Sequence, residues 1–121
     1  IFGLLADAVS EYGELDVGLP ASPPAEAFSR IGGASKAVET AGFDFESFIE
    51  VDVKVALCPA SEIVGFYNEV SVRSRGLLDA QPTDKRDAVE EALISSYQQF
   101  EVDGIVQLPM PHRIITATKP A

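Results

Sequence analysis

The sequence predicts a mixed α/β fold in which helices lie between the strands. Three observations favour it. Apolar residues recur with helical spacing in several segments, one long segment alternates almost regularly between apolar and polar residues, and a segment rich in β-branched residues lies near the end of the chain. Hydrophobic residues make up 46% and charged residues 23% of the 121 residues, as in an ordinary globular domain. We therefore expect a single unit over residues 1–121.

The N-terminal segment, residues 1–12, is predicted to be an amphipathic helix. Its apolar residues fall at i, i+3, i+4, i+7, i+8 and i+11 on one helix face: Ile1, Leu4, Leu5, Ala8, Val9 and Tyr12. Gly13 follows at a position typical of a helix C-terminal cap. Residues 13–33 are rich in Gly and Pro and are predicted to form a long irregular loop, a feature that is usually functional or flexible.

Residues 34–57 are predicted to form a short helix and then a long strand. Gly42 ends the helix, and from Phe43 to Leu57 apolar and polar residues alternate with a period of two. This alternation is typical of a strand with one buried face. Because the segment exceeds the usual strand length, we expect a bulge or bend near Ser47.

Residues 59–100 are predicted to be helical, with Pro59 in the first turn and a break near Pro82. Thr83 is predicted to cap the second long helix of this region. Residues 105–119 are predicted to form the final strands after a turn at Asp103-Gly104. Apolar or β-branched residues on both faces of the last strand favour an interior position in a sheet.

The formal net charge is −10, from 19 acidic residues against 9 Lys and Arg. A surface with this charge repels phosphates, and the basic residues form no cluster that would offset the repulsion. We therefore expect neither nucleic acid nor an anionic membrane as a partner. Apolar runs are also too short for a membrane-spanning helix.

One cysteine, Cys58, excludes an internal disulfide and fits a reducing compartment, so a cytoplasmic location is expected. The N-terminus has no basic region ahead of apolar residues, as a secretory signal would have. One Cys and one His are too few for an ordinary zinc site, and no metal is expected. The same cysteine is either a small buried residue at a strand end or a reactive thiol near a helix N-terminus.

Four other residues are candidates for a ligand site. Phe66 and Tyr67 lie on the apolar stripe of a predicted helix, where they either pack in the core or line a pocket. Arg73 lies at the edge of that stripe and either enters a cavity or covers apolar surface with its stem. His112 precedes the last strand and is either a capped loop residue or a general base. No set of catalytic residues is visible, so catalytic and cofactor-binding residues stay unassigned.

Several motifs that follow one another along the chain resemble class I SAM-dependent methyltransferases of a small-molecule branch. They are Phe2–Val9, Gly18-Leu19-Pro20, Ala41-Gly42-Phe43, Val72–Pro82, Asp103–Pro109 and Ile114–Pro120. The resemblance implies a Rossmann-like, seven-stranded sheet whose C-terminal strands form an antiparallel hairpin. It also implies that the helices inserted before the last strand form a lid over the substrate.

The same resemblance implies a function. The family holds SAM on a glycine-rich loop and an acidic residue that have no counterpart in these 121 residues. We therefore expect the C-terminal, substrate-side segment of a methyltransferase acting on a small molecule. This chain should bind no SAM and be inactive alone.

Its expected partners are the small-molecule acceptor and either a missing N-terminal half or a second copy of the chain. Phe66, Tyr67, Arg73 and His112 are the substrate-side candidates. The alternative is a stand-alone, non-catalytic module that binds a small ligand or a protein. The atom that receives the methyl group stays open.

Overall fold

The structure is a computed structural model that describes residues 2–22, 24 and 27–121. Parts of the predicted N-terminal helix and loop fall on residues 1, 23, 25 and 26 and lie outside the described residues. The helices are α1 (Phe2–Tyr12), α2 (Ile31–Thr40), α3 (Ile63–Val70), α4 (Val72–Asp79) and α5 (Thr83–Gln98), with a 3₁₀ turn, η1, at Ala60–Glu62. The strands are β1 (Asp44–Val51), β2 (Lys54–Ala56), β3 (Glu101–Val102), β4 (Ile105–Pro109) and β5 (His112–Thr118).

This order confirms a mixed α/β fold, with two small antiparallel sheets. The chain forms two compact units: unit 1 contains Ile1–Pro20 and Lys54–Leu108, and unit 2 contains Ala21–Val53 and Pro109–Ala121. A single domain over residues 1–121 stays a prediction. None of the described helices is both long and apolar enough to cross a bilayer.

The core of unit 1 forms where α1 and α3 pack against α5. Helix α5 contributes Val89, Leu93 and Tyr97, each 0% exposed, at the i, i+4, i+8 spacing of one helix face. The other fully buried side chains in the core of unit 1 include Val9, Ile63, Tyr67, Leu78 and Val106. On α1, the predicted apolar stripe is buried at Leu5, Ala8 and Val9, whereas Tyr12 is 45% exposed.

The helical region differs from the prediction at two helix starts. The predicted helix over residues 60–79 begins with the 3₁₀ turn η1, and a break at Ser71, where φ is −147° and ψ is 109°, separates α3 from α4. The Ser71 hydroxyl accepts a hydrogen bond from the Ser74 backbone N–H at 3.2 Å and caps α4, which explains the break. Pro82 occupies the cap position of α5 and Thr83 makes no capping bond, so the predicted Thr83 cap is wrong.

The strand predicted over residues 43–57 is also divided. Strand β1 ends at Val51 and pairs with β5 in a two-stranded sheet, whereas β2 belongs to a separate sheet of order β2-β4-β3. The Val53 carbonyl accepts a hydrogen bond from the Met110 N–H at 2.8 Å, outside both ladders. The bulge expected near Ser47 is confirmed as a register shift between Phe45 and Ser47.

In unit 2, α2 packs on β1, and β1 runs antiparallel to β5 with Ile49 opposite Ile114. The side chains of Glu50 and Arg113, opposite each other, form an ion pair at 2.6 Å. Ile114 is 51% exposed, and β1 is the only neighbour of β5 in the described sheets. The interior position predicted for the last strand is therefore wrong, and β4 and β5 belong to different sheets.

Candidate functional site

A groove of about 350 Å³ runs along one face of η1 and α3 in unit 1. We call it the Phe66 groove; its lining residues are Cys58, Glu62, Gly65, Phe66 and Glu69. The last four are spaced i, i+3, i+4 and i+7, which places them on a single helical face. Phe66 lies in the middle of this face, with one carboxylate toward each end.

Two backbone anchors hold this region to the β2-β4-β3 sheet. The Val106 N–H donates to the Cys58 carbonyl at 3.0 Å, which fixes the cysteine beside β4. The Ala60 N–H at the start of η1 donates to the Glu101 carboxylate at 2.8 Å. A carboxylate that accepts from a free N–H at the start of a helical segment satisfies a donor that has no partner within the helix. These two hydrogen bonds therefore hold Cys58 and the start of η1, at one end of the groove, beside the sheet.

A cluster of aromatic rings packs behind Phe66. The rings of Phe66 and Tyr67 meet edge to face at 6.3 Å, and so do those of Tyr67 and Tyr97. The two tyrosine hydroxyls share a hydrogen bond of 2.8 Å, and both side chains are fully buried. Burial raises the pKa of Tyr67 far above its ordinary value, and the hydrogen bond to Tyr97 adds to the effect. Tyr67 is thus a neutral core residue that supports the ring in the groove.

The lining of the groove is acidic and apolar. Neither Glu62 nor Glu69 forms an ion pair with any described residue, and no basic side chain lines the groove. Burial raises the pKa of the Cys58 thiol, and the nearby Glu62 carboxylate raises it further. The raised pKa keeps the thiol neutral at pH 7. Because nucleophilic attack requires the thiolate, Cys58 lines the groove without acting as a nucleophile.

The four candidates from the sequence lie in different places. Phe66 lines the groove, and Tyr67 lies behind it in the core. The Arg73 guanidinium donates from Nη1 to the Pro20 carbonyl at 2.7 Å and so ties α4 to the loop after α1. His112 belongs to unit 2, where it is exposed and lies opposite Val51 in the sheet. Their role toward a substrate stays a prediction.

Sequence reasoning missed the two glutamates of the groove and Gln81. The i, i+3, i+4, i+7 spacing around Phe66 was a signal that could have identified Glu62 and Glu69. Gln81 is only 6% exposed and bonds to the backbone of Glu14, far away in sequence. A contact across that separation leaves no periodic pattern in the sequence.

Unit 1 has two further grooves. One, of about 290 Å³, lies between α1 and α5 and includes Asp7, Glu11 and Tyr12 in its lining. The other, of about 450 Å³, follows α4 and includes Arg75 in its lining. No described set of three His, Cys, Asp or Glu side chains is placed to hold a metal ion.

The lining of the Phe66 groove offers two kinds of contact to a ligand. An apolar ring with a carboxylate on either side provides a stacking surface and two hydrogen-bond acceptors. The described lining residues include no histidine or basic side chain beside the thiol that could activate it. Comparisons with family models, with curated proteins and with solved structures found no match to this chain.

Proposed function

We propose that this chain is the C-terminal, substrate-side segment of a SAM-dependent methyltransferase acting on a small molecule. The observation that carries the proposal is the antiparallel pairing of β1 with β5, two strands separated in sequence by α3, α4 and α5. The resembled family has its two C-terminal strands paired in this way, with helices inserted before the last one. A Rossmann-like sheet completed by further strands is part of the proposal.

In this proposal, the inserted helices supply the acceptor side of the active site and the Phe66 groove receives the acceptor. Methyl transfer depends mainly on alignment of the acceptor with the methyl donor. A binding groove without an acid–base pair is compatible with that role. SAM itself would be held by a glycine-rich loop and an acidic residue outside these 121 residues.

The β1–β5 sheet gives a second reason to propose a partner. Two strands form a marginal sheet in water, and a further strand or a covering layer stabilises them. Ile49 and Ile114 lie opposite each other on one face and are 53% and 51% exposed. We propose that the cofactor-binding half, or a second copy of the chain, covers this face.

Two measurements test the proposed function together. Calorimetry with SAM should detect no binding to the 121-residue chain. A polypeptide that also contains the residues encoded upstream of Ile1 should transfer a labelled methyl group from SAM to a small molecule. Micromolar SAM binding by the 121-residue chain would contradict the proposal, and so would an upstream sequence without a strand followed by a glycine-rich loop.

A non-catalytic binding module is the second candidate. The unpaired carboxylates of the Phe66 groove favour it, because they suit binding and supply no visible chemistry. The same pair of measurements separates the two candidates. A module would bind its ligand as the 121-residue chain, and the longer polypeptide would neither bind SAM nor transfer its methyl group.

A further inference from the structure

We propose that the Phe66 groove binds an organic cation, namely a protonated amine carried on an apolar body. The groove combines an aromatic ring with two carboxylates and has no basic lining residue. Aromatic faces attract cations through the ring quadrupole, and carboxylates accept the hydrogen bonds that an ammonium group donates. An anionic ligand would meet repulsion from both glutamates.

The helical spacing fits a ligand of this kind. With a rise of about 1.5 Å per residue, the backbone positions of Glu62 and Glu69 lie roughly 6 Å and 4.5 Å along the axis from that of Phe66. An apolar body that rests on the Phe66 ring therefore has a carboxylate within side-chain reach at either end. A single ammonium group at one end of the body satisfies this arrangement.

The state of the two glutamates supports the inference. Three acidic residues of unit 1, Glu14, Asp79 and Glu90, pair with Lys or Arg side chains, whereas most of its other acidic residues form no ion pair with a described residue. Glu62 and Glu69 pair with no described residue, and they stand in the more acidic of the two units. A cation supplied by a ligand would give them the counter-charge that the chain itself does not provide.

The other two grooves of unit 1 suit a cation less well. Between α1 and α5, the lining is also acidic, with Asp7 and Glu11 beside Tyr12, but Tyr12 is 45% exposed whereas Phe66 is half-buried. Along α4, the guanidinium of Arg75 forms part of the lining and pairs with Asp79 at 3.5 Å. The Phe66 groove combines two carboxylates that form no ion pair with a described residue with an aromatic ring that packs against the buried Tyr67.

The groove has room for a small ligand. Its volume of about 350 Å³ lies at the lower end of the range for small-molecule sites. The space at Gly65 is open, because a Cβ added there would meet no atom within 4 Å. A larger side chain at this position would occupy part of the groove, which makes Gly65 useful for a blocking variant.

This inference deepens the proposed function in one respect. It identifies the methyl acceptor as an amine, and this part rests on the proposed function. The binding of an amine to the groove does not depend on that function. We therefore test binding in the absence of SAM. Amine binding without methyl transfer by the longer polypeptide would overturn the proposed methyltransferase function, but the groove would remain an amine-binding site. Transfer only to acceptors that lack an amine would overturn the amine as acceptor.

The test uses the 121-residue chain and three ligands that share one ring: 2-phenylethylamine, 2-phenylethanol and phenylacetate. Each is titrated at pH 7 and low ionic strength while two-dimensional NMR follows the backbone amides. The amine should shift resonances of residues 58–69 and bind at least ~10-fold more tightly than the alcohol, and phenylacetate should not bind. Added NaCl should weaken amine binding, because it screens the charges.

Matched variants complete the test. The double variant Glu62→Gln/Glu69→Gln should bind the amine roughly 10-fold or more weakly. The control Asp87→Asn/Glu91→Gln changes the net charge equally on the exposed surface of α5 and should change the Kd less than about twofold. Gly65→Leu, which replaces a helical glycine with a better helix former, should fold and lose binding.

Three outcomes would overturn the inference. The first is equal affinity for the amine and the alcohol, which would remove the role of charge. The second is a set of shifts centred on Asp7 and Tyr12, which would move the site to the α1–α5 groove. The third is equal loss of binding in the groove double variant and in its control, which would leave only the net charge of the chain as the cause.

Discussion

Gln81 fastens the chain after α1 to the end of α4, and its replacement gives a sharp test of how unit 1 is stabilised. Its side-chain N–H₂ donates to the carbonyls of Glu14 at 2.8 Å and Leu77 at 3.0 Å, and its Oε1 accepts from the Glu14 N–H at 2.8 Å. The side chain is 6% exposed. The variant Gln81→Met keeps the length of the side chain and removes all three hydrogen bonds.

The magnitude follows from the number of bonds. A hydrogen bond within a protein contributes about 1 kcal/mol net, so three of them contribute about 3 kcal/mol. Glu14 is exposed and Leu77 is half-buried, so water can replace some of the lost bonds. We expect Gln81→Met to lower the free energy of unfolding by about 2–3 kcal/mol, which corresponds to a fall in Tm of roughly 10 °C for a chain of this size.

Urea denaturation followed by circular dichroism measures this change. The matched control is Gln99→Met, because the Gln99 side chain is exposed and its amide donates only to the nearby Ser96 carbonyl at 2.8 Å. The control should alter stability by less than about 0.5 kcal/mol. A change of similar size in both variants would refute the role assigned to Gln81.

Two further predictions concern the same unit. Gly13→Ala should destabilise the chain by roughly 1–3 kcal/mol in the same urea assay, because its Cβ would lie within 3 Å of the Gln81 amide oxygen. Gly3→Ala, where a Cβ meets no atom within 4 Å, should instead stabilise α1 by about 0.5–1 kcal/mol, and the opposite order would contradict this packing. Burial raises the pKa of both Tyr67 and Tyr97 above the unfolded value, so their contribution to stability is complete below about pH 10 and is lost as pH rises through the raised values. Tyrosinate absorbance and circular dichroism during an alkaline titration should show these two phenols ionising only as the chain unfolds; reversible ionisation near pH 10 in the folded state would contradict it.

Much of the secondary structure could be predicted because periodicity is a local property. The stripe from Val89 to Tyr97 predicts α5, and the alternation after Phe43 predicts β1. The interruption at Ser71 depends on a single hydrogen bond from the Ser74 N–H to the Ser71 hydroxyl, and the spacing of apolar residues does not predict such a bond. Among the described strands β5 pairs only with β1, which leaves Ile114 exposed, and the residues of one strand cannot specify this property of the sheet.

The candidate site could be predicted only in part, for a related reason. Aromatic residues on an apolar helical stripe are equally compatible with a core and with a pocket. The structure separates the two neighbours, because Tyr67 turns into the core beside Tyr97 while Phe66 lines the groove. The role of Arg73 as a hydrogen-bond donor to the Pro20 carbonyl depends on a loop whose path the sequence does not specify.

Methyl transfer from SAM is the most direct test of the central claim, that this chain is the substrate-side segment of a methyltransferase. The assay follows a labelled methyl group from SAM to a panel of small molecules that includes amines. It compares the 121-residue chain with a polypeptide that also contains the residues encoded upstream of Ile1. We expect transfer by the longer polypeptide and none by the 121-residue chain. Absence of SAM binding and of methyl transfer in the longer polypeptide would contradict the proposed function.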